Sequence, residues 1–278
     1  MNRCLARHAP SAILGLGEAG SEICRDLVDA GARVRAYDPV VSRAPAGADP
    51  ATDEADAARE ADIVLSVNGA QDAAEALRHG LPGLRAGAVW ADLNTGAAGL
   101  KEQLAATVAT TAGGFADVAL MSPVPGRGLR TPMLVSGPGA GHYATLMSPL
   151  GADVTVLPGP AGAAAARKLI RSVFVKGMAA AVIEAVQAAR RAGCEEWLRD
   201  QAAAEFQAAD ARLVDRLIDG SLKHAERRSH EMAAACELLA ALGVPSRVTA
   251  ASYDWLCELR EAGSSGPRNA SVSRDGSR

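Results

Sequence analysis

Six residues near the N-terminus carry the clearest chemical signature of this chain. Gly15-Leu16-Gly17-Glu18-Ala19-Gly20 follows the apolar run Ala12-Ile13-Leu14 and opens an Ala-rich helical stretch reaching about Ala30. The spacing is G-x-G-x-x-G at a strand end and a helix start. Its first glycine permits a tight turn, and its second lets the backbone approach a pyrophosphate. The third allows close helix–strand packing, and the helix N-terminus supplies N–H donors to the anion. Alone, the same pattern also suits an ordinary strand-to-helix turn in a Gly-rich chain.

Context strengthens the reading. Asp38 ends the second apolar run, Val34-Arg35-Ala36-Tyr37, at the distance expected of an acidic ribose ligand. A carboxylate there accepts from ribose hydroxyls and repels a 2′-phosphate, which favours NAD over NADP. Asp38 equally suits a turn before Pro39, and Arg43 could serve a 2′-phosphate, so the cofactor stands as NAD or NADP. Ser66-Val67-Asn68 and Asp92-Leu93-Asn94-Thr95, at two more strand ends, complete the cofactor site by position. As bare residues both segments also suit helix caps.

A second cluster lies on a continuous helical pattern from Gly162 to Ala192. At helical spacing Lys168, Arg171, Ser172 and Lys176 share one arc, opposite Leu169, Ile170, Val173, Phe174 and Gly177. A charged arc is usually a solvated face. Farther along, however, the same arc carries Ala179, Val182, Ile183 and Val186. That change predicts a helix buried downstream, with its charged end opening onto a cleft. His224 to Glu231, on a later helix, forms another polar cluster, read as a wet surface turn except for Glu231.

The elements that must position these residues fall into two regions. Before Pro158-Gly159-Pro160, β-type runs at 12–14, 34–37, 63–67, 89–92, 115–119, 133–136 and 154–157 alternate with helical segments. That order predicts βαβ units and a mainly parallel sheet over residues 10–160. From Ala161 to about Ala262 the pattern is helical throughout, with stops at Gly193 and at Gly243-Val244-Pro245. The fold class is therefore an α/β domain followed by an all-α domain over 161–262. Residues 263–278 are rich in Gly, Ser and Arg, which reads as a disordered tail.

Composition narrows the partners. The 278 residues are 49% hydrophobic and 22% charged, enough apolar material for a sizeable core, with net charge −3 and nine aromatic side chains. No basic excess and few rings exclude a general nucleic-acid binder. Five scattered cysteines form no C-x-x-C pair, and no histidine falls at a ligand spacing, so neither a disulfide framework nor a metal site is expected. The longest stretch without charged side chains, Thr131 to Ala152, is broken by three prolines, so no membrane span is expected. A cytoplasmic location follows by default. The cationic groups are 25 Arg and only four Lys, one of them Lys168.

Between about residues 11 and 262 the chain resembles the β-hydroxyacid dehydrogenase superfamily, in its 6-phosphogluconate-dehydrogenase-like branch. The glycine loop looks like that family's cofactor motif, with Ala19 where Met is common. Asp92-Leu93-Asn94-Thr95 is similar to its D-x-S-T segment, whose Thr lies near the nicotinamide. The family's G-x-G-x-x-x-K-x-x-N-N motif reads here as Gly162 to Ser172, with Lys168 in the place of the catalytic lysine. Arg171 and Ser172 replace the two asparagines, and Met121-Ser122 stands where the substrate loop carries its serine. Counting back from Gly243 places His230-Glu231 at the family's late K-D pair.

The resemblance implies an N-terminal Rossmann domain, a helical domain that dimerises, and a reaction cleft between them. It also implies reversible hydride transfer between nicotinamide and a substrate carbinol or carbonyl carbon. Lys168 is then the general acid/base and Ser172 orients the reacting oxygen or Lys168. Thr95 and Ser122 contact substrate, and Glu231 anchors or tunes Lys168. Burial together with Arg171 and Lys176 is expected to lower the lysine pKa toward a useful range. Arg171 suits a carboxylate or phosphate, so the substrate expected is a small anionic hydroxy acid or its keto or aldehyde partner. Two alternatives stand beside this one: an imine reductase on the same scaffold, and an NAD(P)-binding sensor without turnover.

Overall fold

The computed structural model describes residues 9–264. Most of the stretch expected to be a disordered tail therefore lies outside the described residues. Strands β1 (Ser11–Leu14), β2 (Val34–Tyr37), β3 (Asp49–Pro50), β4 (Ile63–Ser66), β5 (Val89–Asp92), β6 (Gly114–Leu120), β7 (Met133–Ser136) and β8 (Val154–Val156) form one sheet. Their order is β3-β2-β1-β4-β5-β6-β7-β8. All neighbours are parallel except β6 and β7. The sheet is thus the mainly parallel one that the apolar runs predict. Sequence patterning misses β3, which has only two residues, one of them a proline that an edge strand tolerates.

Successive residues of the central strands are buried on opposite faces, as the alternation of Cβ directions requires. Ile13, Leu65, Ala91 and Val118 enter one core with Ile23 and Leu27 of α1 (Glu18–Asp29). Leu14, Val64, Trp90 and Phe115 enter the other. That second core is covered by α2 (Glu54–Ala58), α3 (Ala73–Gly80) and α4 (Ala98–Val108) through Ala57, Leu77 and Leu104. Helix α5 (Ala140–Met147) returns Tyr143 and Met147 to the first core.

The rest is helical: α6 (Ala163–Ala192), α7 (Glu195–Gln207), α8 (Leu213–Lys223), α9 (Ala225–Ala241) and α10 (Arg247–Ser264). Gly193, with φ of 73°, and Gly243, with φ of 67°, take the left-handed conformation just past α6 and α9, the stops expected of these glycines. Two compact units are found, meeting between Ser172 and Val173 inside α6. Within the second unit, Glu184 of α6 accepts from the N–H groups of Val248 and Thr249 and from the Thr249 hydroxyl, at 2.6–2.8 Å. It thereby satisfies the open first turn of α10.

One expectation fails. The downstream face of α6 is not buried within the chain: Val182 and Ile183 are 38% and 58% exposed. Nor does the side opposite Lys168 enter a core, because Ile170, Val173 and Phe174 are 59–77% exposed. Alternating apolar character along a helix records that something covers it, not that the same chain does.

Candidate functional site

The glycine loop has the geometry its spacing implies. Gly15 has φ of +96°, and a Cβ there would stand 2.5 Å from the Val67 carbonyl oxygen. A Cβ on Gly20 would land on the Gly15 carbonyl oxygen, so α1 can approach β1 only through a glycine. Around Gly17, by contrast, a Cβ would meet nothing within 4 Å. The first and third glycines thus serve the fold, and the second keeps open space beside the α1 N-terminus.

That space is part of a groove of about 550 Å³ beyond the carboxyl ends of β1, β4, β5 and β6. Of the residues proposed from sequence, Gly15, Gly17, Glu18, Ala19, Gly20, Asp38, Val67, Asn68, Asn94 and Thr95 line it together. Leu16 is buried behind it and Ser66 beneath it. Leu93 of the Asp92–Thr95 segment lines it too, and sequence reading omits Pro39, Val40, Gly69, Asp72 and Leu120. They simply neighbour the motif residues at the strand ends, so position alone could have found them.

Asp38 is tied to the loop itself. Its carboxylate accepts from the Leu16 N–H at 2.7 Å and from those of Val40 and Val41 at 2.8 Å. Burial opposes the charged form, but these N–H groups outweigh it and hold the carboxyl below its usual range. A second groove, of about 720 Å³, shares Pro39, Asn68 and Asp72 with the first and adds Tyr37, Asp53, Glu54 and Glu75. Burial, then the charges of Glu54, Asp53 and Asp38, push the Tyr37 hydroxyl above its ordinary value. Arg78 and His79 also line this groove, beside Glu75 and Glu54, so its carboxylates outnumber its cations.

Beneath the other end runs a polar row, of which the sequence motifs name Ser66 and Asp92 but not the alignment. Sheet register aligns Ser66 with Asp92, Asp92 with Asp117, and Asp117 with Ser136. All four are fully buried. Lys101 of α4, also buried, donates to Asp92 Oδ2 at 2.6 Å and to the carbonyl oxygens of Asp92 and Asn94 at 3.0 and 2.7 Å. It stands 3.4 Å from Asp117 Oδ1. Asp117 Oδ2 accepts from Ser136 Oγ and from the N–H groups of Gly162 and Ala165, while Ser136 Oγ accepts from that of Ala164. The strand ends and the first turn of α6 are therefore held by one network. Its second carboxylate is stabilised by a helix N-terminus.

From that anchored turn, α6 carries Lys168 toward the groove. Lys168 Nζ donates to Thr95 Oγ1 at 2.8 Å. The arrangement brings the predicted proton carrier onto a groove-lining hydroxyl. The other predicted groups are more dispersed. Ser172 is half-buried one turn farther on, and Arg171 is exposed beside it. Ser122 follows β6, with its hydroxyl 3.4 Å from the Pro123 carbonyl oxygen. Glu231, on α9 in the second unit, pairs with Arg227. Among the described residues, no cluster of His, Cys, Asp and Glu could hold a metal ion. No described helix is long and apolar enough to cross a membrane.

Residues 11–127 match the family model described as the NAD binding domain of 6-phosphogluconate dehydrogenase. A solved structure, a conserved hypothetical protein from Sinorhizobium meliloti 1021, is 30% identical with a TM-score of 0.60; the match covers 98% of this chain and 94% of that one. The chain belongs to the 6-phosphogluconate-dehydrogenase-like family of NAD(P)-binding oxidoreductases. Its residues 189–259 match a domain of unknown function (DUF1932).

Two further solved structures share the fold of this family member. An imine reductase variant from Myxococcus stipitatus, in complex with NAD+, is 19% identical, with a TM-score of 0.77 over 92% of this chain and 94% of its own. A reductive aminase from Aspergillus terreus, in complex with NADPH and ethyl-5-oxohexanoate, is 18% identical, with the same TM-score over 92% and 95%. No curated protein matches the chain.

The chain's own residues fit a dinucleotide. Gly17 leaves the helix N-terminus accessible, and two buried amide oxygens beside the groove, Asn68 Oδ1 and Asn94 Oδ1, have no hydrogen-bond partner. Such acceptors are costly unless something donates to them.

Proposed function

We propose that this family member transfers hydride between a nicotinamide cofactor and a small anionic hydroxy acid or its keto or aldehyde partner. The observation that carries the proposal is Lys168 Nζ resting on Thr95 Oγ1 at the rim of the cofactor groove. When bound, the cofactor supplies or accepts the hydride. The chain must then move one proton at the substrate oxygen and hold that oxygen in place. Lys168 gives the proton in reduction and takes it in oxidation. Thr95 fixes the ammonium and contacts substrate, and Ser172 and Ser122 add hydroxyls around the reacting oxygen. Exposed Arg171, beside Lys168, offers two parallel N–H donors to a carboxylate or phosphate. Glu231 enters this proposal on the family resemblance alone; on α9 it pairs with Arg227.

The cofactor we favour is NAD(H). Asp38 stays charged far below neutral pH, and Asp53, Glu54, Asp72 and Glu75 surround the adjoining groove. A 2′-phosphate brought there meets like charges.

A second reading has a specific observation behind it. The solved structures of similar fold include an imine reductase and a reductive aminase, and this chain departs from the hydroxy-acid pattern at Met121, Arg171 and Ser172. One assay separates the two. Purified protein is offered NADH or NADPH with a panel of 2- and 3-oxo acids, semialdehydes and cyclic imines. Oxidation of NADH by the oxo acids or semialdehydes is expected. Turnover confined to the imines would replace the first reading with the second. Cofactor binding without turnover of any of them would leave a sensor.

A further inference from the structure

The buried Lys101 does more than fill the space under β5. Asn94 Nδ2 faces two acceptors, Ser66 Oγ at 3.1 Å and Asp92 Oδ1. An amide flipped by half a turn would set its oxygen against the Asp92 carboxylate, acceptor against acceptor. Lys101 Nζ donates to Asp92 Oδ2 at 2.6 Å and to the backbone carbonyl oxygen of Asn94 at 2.7 Å. The side chain therefore has one permitted orientation. Asn94 Oδ1, in a residue only 5% exposed, is left unpartnered while Asn94 lines the groove. Asn94 follows β5 and adjoins Thr95, on the far side of the glycine loop from Asp38. That is where the nicotinamide half of a dinucleotide must lie if its ribose at the other end meets Asp38.

We propose that Asn94 Oδ1 is a hydrogen-bond acceptor for the nicotinamide–ribose half of the cofactor, and that Lys101 is the positioning residue that turns this oxygen toward it. The donor is an N–H of the carboxamide or an O–H of the adjoining ribose. The relay runs from Lys101 Nζ to the Asp92 carboxylate to the Asn94 amide nitrogen, so Lys101 decides which amide atom is left for the cofactor. The inference rests on the cofactor reading of the groove.

The test measures binding rather than turnover. Dissociation constants for NADH, ADP-ribose and ADP are determined by calorimetry for the wild-type chain, Asn94→Ser and Lys101→Met. Loss of one neutral hydrogen bond weakens binding roughly five- to tenfold. We expect that loss for NADH in both variants, with ADP unchanged because it carries neither donor. ADP-ribose weakened alongside NADH assigns the donor to the ribose, and ADP-ribose unchanged assigns it to the carboxamide.

Equal weakening of ADP and NADH, or no change in either, overturns the proposal, since a merely structural role would not select between ligands. If Lys101→Met does not fold, Asn94→Ser decides the acceptor, and Lys101→Arg, which keeps the charge, decides the relay: it should bind NADH more tightly than Asn94→Ser does, and a loss as large as that of Asn94→Ser would overturn the charge relay. Wild-type chain that binds no NADH at all overturns the cofactor reading with it.

Discussion

Lys168 and Thr95, 73 residues apart in the chain, meet at 2.8 Å between Nζ and Oγ1. The contact exists because Asp117 and Ser136 hold the first turn of α6 while Lys101 holds the segment that carries Thr95. On the proposed reading, Lys168 meets the reacting oxygen and not the pyrophosphate. Lys168→Ala should therefore lower kcat by about 10²- to 10⁴-fold while leaving the NADH dissociation constant essentially unchanged. Steady-state kinetics with a turned-over oxo acid, beside NADH titration by fluorescence, checks both halves. Unaltered kcat would remove Lys168 from the chemistry.

Gly17 and Gly20 should respond oppositely to alanine. A methyl at Gly20 collides with the Gly15 carbonyl, so Gly20→Ala should destabilise the fold by about 1–3 kcal/mol, as overpacking does. Gly17 has φ of −63° with open space around its Cβ position. Gly17→Ala should leave stability within about 0.5 kcal/mol yet obstruct the approach of a pyrophosphate. Urea unfolding and NADH titration of the two variants give the contrast; a stable Gly20→Ala with normal binding would contradict the packing argument.

How much of this was legible beforehand depends on which physical signal each residue leaves. Strands β1, β2, β4 and β5 were readable because a parallel sheet covered on both faces demands continuous apolar runs. Gly15, Gly17 and Gly20 were readable because their requirements are strict at fixed spacing. The alignment of Ser66 and Asp92, both named by motif, with Asp117 and Ser136 was not, although each is a polar residue within or ending an apolar run. Only the register shows that the four are neighbours, and only the fold delivers Lys101 to them. The exposed apolar side chains of α6 were misjudged for the complementary reason: periodicity reports that a face is covered without naming the cover.

Asp38 links cofactor choice to acid stability. Its carboxyl titrates below the usual range because the Leu16, Val40 and Val41 N–H groups favour the anion against burial. A carboxyl depressed in the folded state adds stability above its unfolded value, near pH 4, and that stability is lost as pH falls through the lower folded value. Asp38→Asn should therefore flatten the fall of Tm below about pH 4 relative to wild type, and lower Tm at neutral pH. The same change removes a negative charge from the ribose end of the groove, so affinity for NADPH should rise relative to NADH. A parallel fall in Tm for both proteins below pH 4 would show that the loop does not depend on the charge.

The exposed face of α6 carries the last expectation, a homodimer formed through the helical region. Ile170, Val173 and Phe174 project at 59–77% exposure, with Trp197 and Trp255 at 62% and 65% on α7 and α10. Single exposed apolar residues need no explanation, but so many large ones on one set of helices indicate a surface made to be covered. Each fully buried side chain of this size contributes about 1.5–3 kcal/mol, which a second copy covering these helices would set against the cost of association. Multi-angle light scattering should return twice the chain mass for the wild-type protein, and the single-chain mass for Val173→Glu combined with Phe174→Glu. Because both positions are exposed in the single chain, the double variant should keep its helical circular dichroism. A wild-type protein that runs at the single-chain mass would leave the face uncovered and end the dimer proposal.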